Sequence, residues 1–92
     1  MIAADLAVAG KAKQKALGFP MTGVFSGLGH GIGMRWDSPW LAPVDDTPIE
    51  PGMVLNFEKT LSHDGHLGDF EETVVVTQTG VERLTDAKIR YW

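Results

Sequence analysis

Cysteine is absent from this 92-residue chain, so neither a disulfide framework nor a thiolate metal site can form. Long apolar runs are absent too, since no stretch approaches the roughly 18 residues that a membrane span needs. Basic residues are few and scattered, eight against twelve acidic ones, for a formal net charge of -4. Without a basic face or a spanning segment, nucleic acid and membranes are poor candidates as partners.

We also expect no secretory leader, judging from the pattern of the first residues. The apolar stretch at 1–9 contains Asp5, and the basic residues follow it instead of preceding it. We therefore expect a cytoplasmic protein. A chain of this length holds one domain at most, and its 43% apolar content is typical of a folded chain with a small core.

The opening segment, residues 2–17, has the pattern of a single helix. Gly18 and Pro20 end it. Its alanine-rich composition favours close packing against a sheet. The apolar residues that can share one face of this helix are Ile2, Leu6, Ala9, Ala16 and Leu17.

The rest of the chain reads as strands and turns, which gives an α+β fold with one N-terminal helix on a mainly antiparallel sheet. We expect a flexible glycine loop at 27–33 and a ten-residue hairpin loop at 60–69. Residues 34–41 are predicted to pack beside the sheet as a wall and not as a strand within it, because Pro39 and Pro43 exclude a central strand. Strands are predicted at 19–25, 53–59, 70–77, 81–84 and 89–92.

The glycine stretch at 27–33 contains one residue capable of chemistry, His30. Glycine at alternate positions lets the backbone bend and lets other groups approach it closely. No Gly-x-Gly pair in it is followed by a third glycine at the dinucleotide-binding spacing, and a phosphate-binding lysine is missing. The stretch on its own leaves two interpretations open, a functional histidine or an incidental one in a flexible loop.

Two strand-borne acids, Glu58 and Glu71, are the partners that give His30 a chemical role. If the strands at 53–59 and 70–77 pair antiparallel, both carboxylates lie near one end of the hairpin on one face. Two such carboxylates repel each other unless a cation lies between them, and one histidine with two carboxylates suits manganese, iron, cobalt or zinc. The alternative is a pair of glutamates facing solvent. Register decides between Glu71 and Glu72.

Several segments together, in this order and spacing, resemble the closing part of the pita-bread metallopeptidase family. They are GHGIG at 29–33, IEPGMVLNFE at 49–58, EETVVVT at 71–77 and GVERLT at 80–85. Members of that family include methionine aminopeptidase, Xaa-Pro aminopeptidase, prolidase and the non-peptidase creatinase. The resemblance spans about residues 26–86. It implies that residues 1–92 are the C-terminal part of a pita-bread catalytic domain in a longer chain.

The resemblance also implies a ligand set. The family holds two divalent metal ions with two aspartates, one histidine and two glutamates, and a metal-activated water attacks an amide bond. Carried over by motif, His30 and Glu58 are terminal ligands, Glu71 bridges the two ions, and Glu58 takes the proton of the water. The two aspartates belong to an N-terminal part of the same polypeptide that residues 1–92 lack. We therefore expect the chain alone to be inactive, as a fragment or a non-catalytic module.

One departure from the family bears on substrate. Peptidases carry a histidine donor seven residues after the ligand histidine, and here that position holds Asp37. An ionised aspartate cannot donate a hydrogen bond to a developing oxyanion, but it accepts protons and binds cations. Trp36 and Trp40 beside it offer aromatic faces to a cation, although packing under a loop is the alternative. Asp37 is thus a second catalytic candidate, with Trp36 and Asp37 as substrate-binding residues.

The substrate class follows from that departure. A small peptide is the expectation from the Xaa-Pro peptidases. The alternative is a small osmolyte-like or cationic molecule, as in creatinase-like, ectoine hydrolase-like or sulfonium lyase-like enzymes. His63 and His66 could line the same pocket and supply the donor that Asp37 cannot, or they belong to a solvated loop. A homodimer is left open.

Overall fold

One helix and five strands make up the computed structural model, which describes residues 1–19, 27–34 and 36–86. The sheet has the order β2-β1-β3-β4-β5, and every neighbouring pair is antiparallel. The α+β class is confirmed, whereas the strands predicted at 19–25 and 89–92 fall outside the described residues. The elements are α1 at Ala3–Ala16, β1 at Gly29–Ile32, β2 at Trp36–Trp40, β3 at Val54–His63, β4 at His66–Val76 and β5 at Val81–Arg83.

Helix α1 begins where backbone carbonyls of a distant loop satisfy its first N–H groups. Such groups have no partner within a helix. The Ala3 N–H donates to the Thr47 carbonyl at 2.9 Å, and the Ala4 N–H donates to the Asp45 carbonyl at 2.8 Å. These bonds fasten the helix to the segment between β2 and β3. At its other end, Gly18 has a φ of +82°, the left-handed conformation that ends helices. No helix in the described ranges is long and apolar enough to cross a membrane.

The buried face of α1 differs from the predicted one. Ala3 and Ala7 are buried, and a Cβ added at Gly10 would lie 2.7 Å from the Leu28 side chain. Leu28, which precedes β1, thus lies against the helix at Gly10, because a side chain there would not allow such a short separation. Of the predicted face, Ile2 and Leu6 are half-buried, whereas the residues that face solvent instead are Ala9, Ala16 and Leu17.

The core lies between α1 and the sheet. Leu41 and Leu55 are fully buried there, in contact with Ala3 and Val74. Leu55 and Val74 are Cα partners on β3 and β4, so one pleat of the hairpin supplies the sheet side of the core. Burial of a leucine side chain contributes about 1.5–3 kcal/mol to folding. The opposite pleat of the same strands is therefore left for polar residues.

The glycine stretch is not a loop but a strand, β1, which lies between β2 and β3. A Cβ at Gly29 would collide with the carbonyl oxygen of Asn56, and one at Gly31 would collide with the carbonyl oxygen of Ser38. Glycine therefore lets both neighbouring strands approach β1 closely. The segment predicted as a wall is also partly a strand, β2, and Pro39 lies in it at the edge of the described sheet, where proline is tolerated.

The ten-residue loop predicted at 60–69 is wrong. Strands β3 and β4 continue to the pair His63 and His66, and only Asp64 and Gly65 join them. Their φ values of +49° and +77° are those of the type I′ turn, which Asp-Gly favours because its twist matches that of the strands. The tight turn produces a long and regular hairpin.

Candidate metal centre

Strands β1, β3 and β4 place a set of polar side chains on one pleat of the sheet. His30 is the Cα partner of Asn56, and Glu58 is the Cα partner of Glu71. Cross-strand partners share a face, and so do residues two apart on a strand. The set on this face is His30, Asn56, Glu58, Glu71 and Thr73.

The His30 ring is held in one orientation by the backbone. Its side chain is buried, and Nδ1 lies 2.8 Å from the carbonyl oxygen of Gly31. Since a carbonyl only accepts, Nδ1 carries the proton of this hydrogen bond. The other ring nitrogen, Nε2, faces Oε2 of Glu58 at 3.3 Å. A histidine that binds a metal through one nitrogen commonly donates the other N–H to a carbonyl in this way.

Glu58 and Glu71 complete the acidic part of the site. The Glu58 side chain is 31% exposed, and Glu71 accepts a hydrogen bond from Nδ2 of Asn56 at 3.2 Å. Within residues 1–19, 27–34 and 36–86, no group of three or more histidine, aspartate or glutamate side chains is arranged to hold a metal ion. The fold thus brings His30 into contact with Glu58 and places Glu71 directly across from Glu58, but it does not close the three into one cluster.

Glu72 faces the other side of the sheet, as the Cα partner of Phe57. Its carboxylate accepts hydrogen bonds from the Thr85 hydroxyl and from the Arg83 guanidinium, the latter at 3.2 Å. The Thr85 hydroxyl and, after it, Arg83 hold the pKa of the Glu72 carboxyl below its usual value. The register therefore places Glu71, and not Glu72, on the face of His30.

Among the described residues of β2 that were predicted to bind substrate, Trp40 contributes a ring beside His30, whereas Asp37 makes no hydrogen bond with it. Asp37 is exposed and is the Cα partner of Gly31, and its Oδ1 accepts the Ser38 N–H at 2.8 Å. Across the described part of the chain, no hydrogen bond or ion pair joins Asp37 to His30 or the glutamates. The Trp40 ring lies beside His30, with 6.0 Å between ring centroids. The backbone of Trp36 pairs with that of Ile32, its Cα partner on β1.

His63 and His66 are not brought to the site. They are Cα partners at the hairpin turn, His63 five positions after Glu58 and His66 five positions before Glu71. At about 3.3 Å per residue, this places them roughly 16 Å along the strands from the two acids. The pocket-lining role was predicted for a glycine-bearing loop beside Glu58, and the structure has a tight turn at this place instead, so that role stays a prediction.

Two features of the site were missed in the sequence. Asn56 is only 8% exposed and connects Glu71 to Thr73 through hydrogen bonds. Its position two residues before Glu58, on the same pleat, was the signal available. Lys59 donates from Nζ to the Gly27 carbonyl at 3.3 Å and so fastens the segment leading into β1 against β3.

The fold is that of a class of metallopeptidases. The model of the family described as Metallopeptidase family M24 matches residues 3–78, and the chain belongs to this family. The pita-bread fold is confirmed by the solved prolidase of Pyrococcus furiosus, with a TM-score of 0.83 and 27% identity over 97% of this chain and 27% of that one.

Two curated relatives show the range of the family. The ectoine hydrolase of Halomonas elongata is 32% identical over 89 residues, which are 90% of this chain and 22% of that protein. The dimethylsulfoniopropionate lyase DddP of Roseobacter denitrificans is 39% identical over 69 residues, 63% of this chain and 15% of that protein. The chain thus spans less than a third of the length of each protein compared.

Proposed function

We propose that this chain supplies His30, Glu58 and Glu71 as ligands to the divalent metal centre of an M24 hydrolase of the Xaa-Pro peptidase type. The observation that carries the proposal is the orientation of His30. Its Nδ1 proton is engaged by the Gly31 carbonyl, and its Nε2 faces a carboxylate oxygen at 3.3 Å. Two electron-rich atoms approach in this way only if a proton or a metal cation lies between them.

The donor set fits divalent ions, since one imidazole and two carboxylates are ligands that manganese, cobalt, zinc and iron accept. Two such ions would supply a bound water of lowered pKa and offset the negative charge that develops on an attacked amide. Within the chain, the Gly31 carbonyl orients His30, and Glu58 is the carboxylate placed to accept a proton. The proposal includes two aspartate ligands from an N-terminal part of the same polypeptide. It also includes a cytoplasmic location.

A cationic or osmolyte-like substrate is the second candidate. It is favoured by Asp37, an exposed carboxylate at the position where the peptidases carry a histidine; Asp37 is the Cα partner of Gly31, the residue after His30. A carboxylate attracts a sulfonium or ammonium group, and the partly exposed Trp40 ring supplies an aromatic face nearby. The names of two relatives, an ectoine hydrolase and a dimethylsulfoniopropionate lyase, point in the same direction.

Titration of the 92-residue chain with Co²⁺, followed by calorimetry and by the visible absorption of the ion, tests the metal proposal. We expect weak binding, because three of five ligands are present, and a loss of affinity of at least about tenfold in Glu58→Gln. The matched control is Glu82→Gln, which removes an equal charge from the exposed strand β5. Equal affinity of Glu58→Gln and Glu82→Gln would contradict the proposal.

A further inference from the structure

Between the histidine and the second glutamate lies a buried amide, Asn56. It is the Cα partner of His30 on one side and of Thr73 on the other, so it occupies the centre of the polar face. We propose that Asn56 and Thr73 are positioning residues for the Glu71 carboxylate. This inference rests on the proposed function of Glu71 as a metal ligand.

Two hydrogen bonds define which end of the Asn56 amide faces Glu71. The Thr73 hydroxyl donates to Oδ1 of Asn56 at 3.2 Å, and Nδ2 of Asn56 donates to Oε1 of Glu71 at 3.2 Å. The two ends of an asparagine amide have nearly the same shape but opposite hydrogen-bonding character. A hydroxyl donor at Oδ1 therefore keeps the NH₂ end towards Glu71. In the flipped amide, Oδ1 would face the carboxylate and repel it.

The consequence for Glu71 is a loss of rotational freedom. Glu71 is exposed, and an exposed glutamate samples several rotamers that a ligand role would have to restrict. The bond from Asn56 engages one carboxylate oxygen and limits the positions open to the other. The restriction is made before any ion binds, and such preorganisation raises affinity.

Substitutions at Thr73 test whether its hydroxyl orients the Asn56 amide. Thr73→Val removes the donor and keeps the shape, whereas Thr73→Ser keeps the donor. The matched control is Thr60→Val, which removes another cross-strand hydrogen bond of the same hairpin, from Thr60 to Asp69 at 3.0 Å. All variants are made in the 92-residue chain.

The first measurement needs no metal: the NMR signals of the Asn56 side-chain NH₂ and their exchange with water. We expect faster exchange and shifted signals in Thr73→Val, with wild-type behaviour in Thr73→Ser and Thr60→Val. The second measurement is Co²⁺ affinity, which we expect to fall about tenfold or more in Thr73→Val only, as is typical when a partner of a metal ligand is changed.

Unchanged Asn56 signals in Thr73→Val overturn the inference, and so does a Thr73→Ser variant that behaves like Thr73→Val. A fall in Co²⁺ affinity without a change in the Asn56 signals also overturns it, because the affinity then fell by another route. If the wild-type chain binds no Co²⁺ at all, the proposed function fails, whereas the NH₂ signals still decide whether Thr73 orients Asn56.

Discussion

Glu58 and Glu71 lie directly opposite each other across strands β3 and β4, as Cα partners in the antiparallel register. Like charges in this arrangement destabilise a sheet. Asn56 relieves part of the repulsion by donating to Glu71, and Nε2 of His30 lies against Glu58. The pair therefore lowers the stability of the sheet locally, at the place where the proposed metal ions would bind to negative charge.

Glu71→Gln should therefore stabilise the metal-free chain. The glutamine keeps an oxygen that can accept from Asn56 but removes the charge facing Glu58, which is worth about 0.2–1 kcal/mol. Urea unfolding with and without Co²⁺ measures the effect, and with Co²⁺ the order of stability should reverse, because the ion stabilises the form that binds it. Lower stability of Glu71→Gln than wild type in both conditions would contradict this prediction.

Gly31→Ala should destabilise the sheet. The added Cβ would overlap the Ser38 carbonyl oxygen, so β1 and β2 must move apart. Overpacking of this kind costs about 1–3 kcal/mol. Gly80→Ala is the control, because a Cβ there meets nothing within 4 Å. Equal unfolding midpoints for the two variants would show that the strands do not approach as closely as described.

Asp45 should make stability depend on pH. Its carboxylate accepts from the Thr47 and Trp40 backbone N–H groups at 2.9 and 2.6 Å, and these bonds, with the Thr47 hydroxyl as the largest cause, hold its pKa below the ordinary 3.8. A lowered folded-state pKa stabilises the protein above the unfolded-state pKa, and this contribution disappears as the pH falls through the folded-state value.

Asp45→Asn should therefore be less stable than wild type at pH 7, and the difference should shrink as the pH falls from about 5 towards 3. Thermal unfolding across this range measures it, with the exposed neighbour variant Asp46→Asn as the control. A difference between wild type and Asp45→Asn that stays constant with pH would argue against the hydrogen bonds as its origin.

Asp37 should determine the substrate class of the complete polypeptide. For the second candidate, we expect hydrolysis or lysis of small cationic or osmolyte-like compounds to exceed cleavage of Xaa-Pro dipeptides, whereas the Xaa-Pro peptidase type predicts the reverse. Asp37→His should raise kcat/KM for the dipeptides by about tenfold or more, since a single donor to an oxyanion contributes on that scale or above. Efficient dipeptide cleavage by the wild-type enzyme would rule out this role of Asp37.

The pairing of Glu58 with Glu71 could be predicted although the predicted length of the loop between their strands was wrong. A ten-residue loop at 60–69 and a two-residue turn at 64–65 share the same centre, so both give the same cross-strand partners. The Asp64-Gly65 signal for a tight turn was present in the sequence. The glycine stretch was harder to predict, since glycine favours loops by propensity and becomes a strand only where neighbouring strands need its missing side chain.

The sequence by itself determined the helix and the existence of strands β3, β4 and β5, the alternation that places Asn56 and Glu58 on one pleat, and the family motifs. Local spacing decides these properties, because a strand repeats every two residues and a helix every 3.6. Only the tertiary structure decided which atoms meet: Nε2 of His30 with the Glu58 carboxylate, and the Asn56 amide with Thr73 on one side and Glu71 on the other. Those contacts join β1, β3 and β4 across long stretches of chain, and no local pattern carries that information.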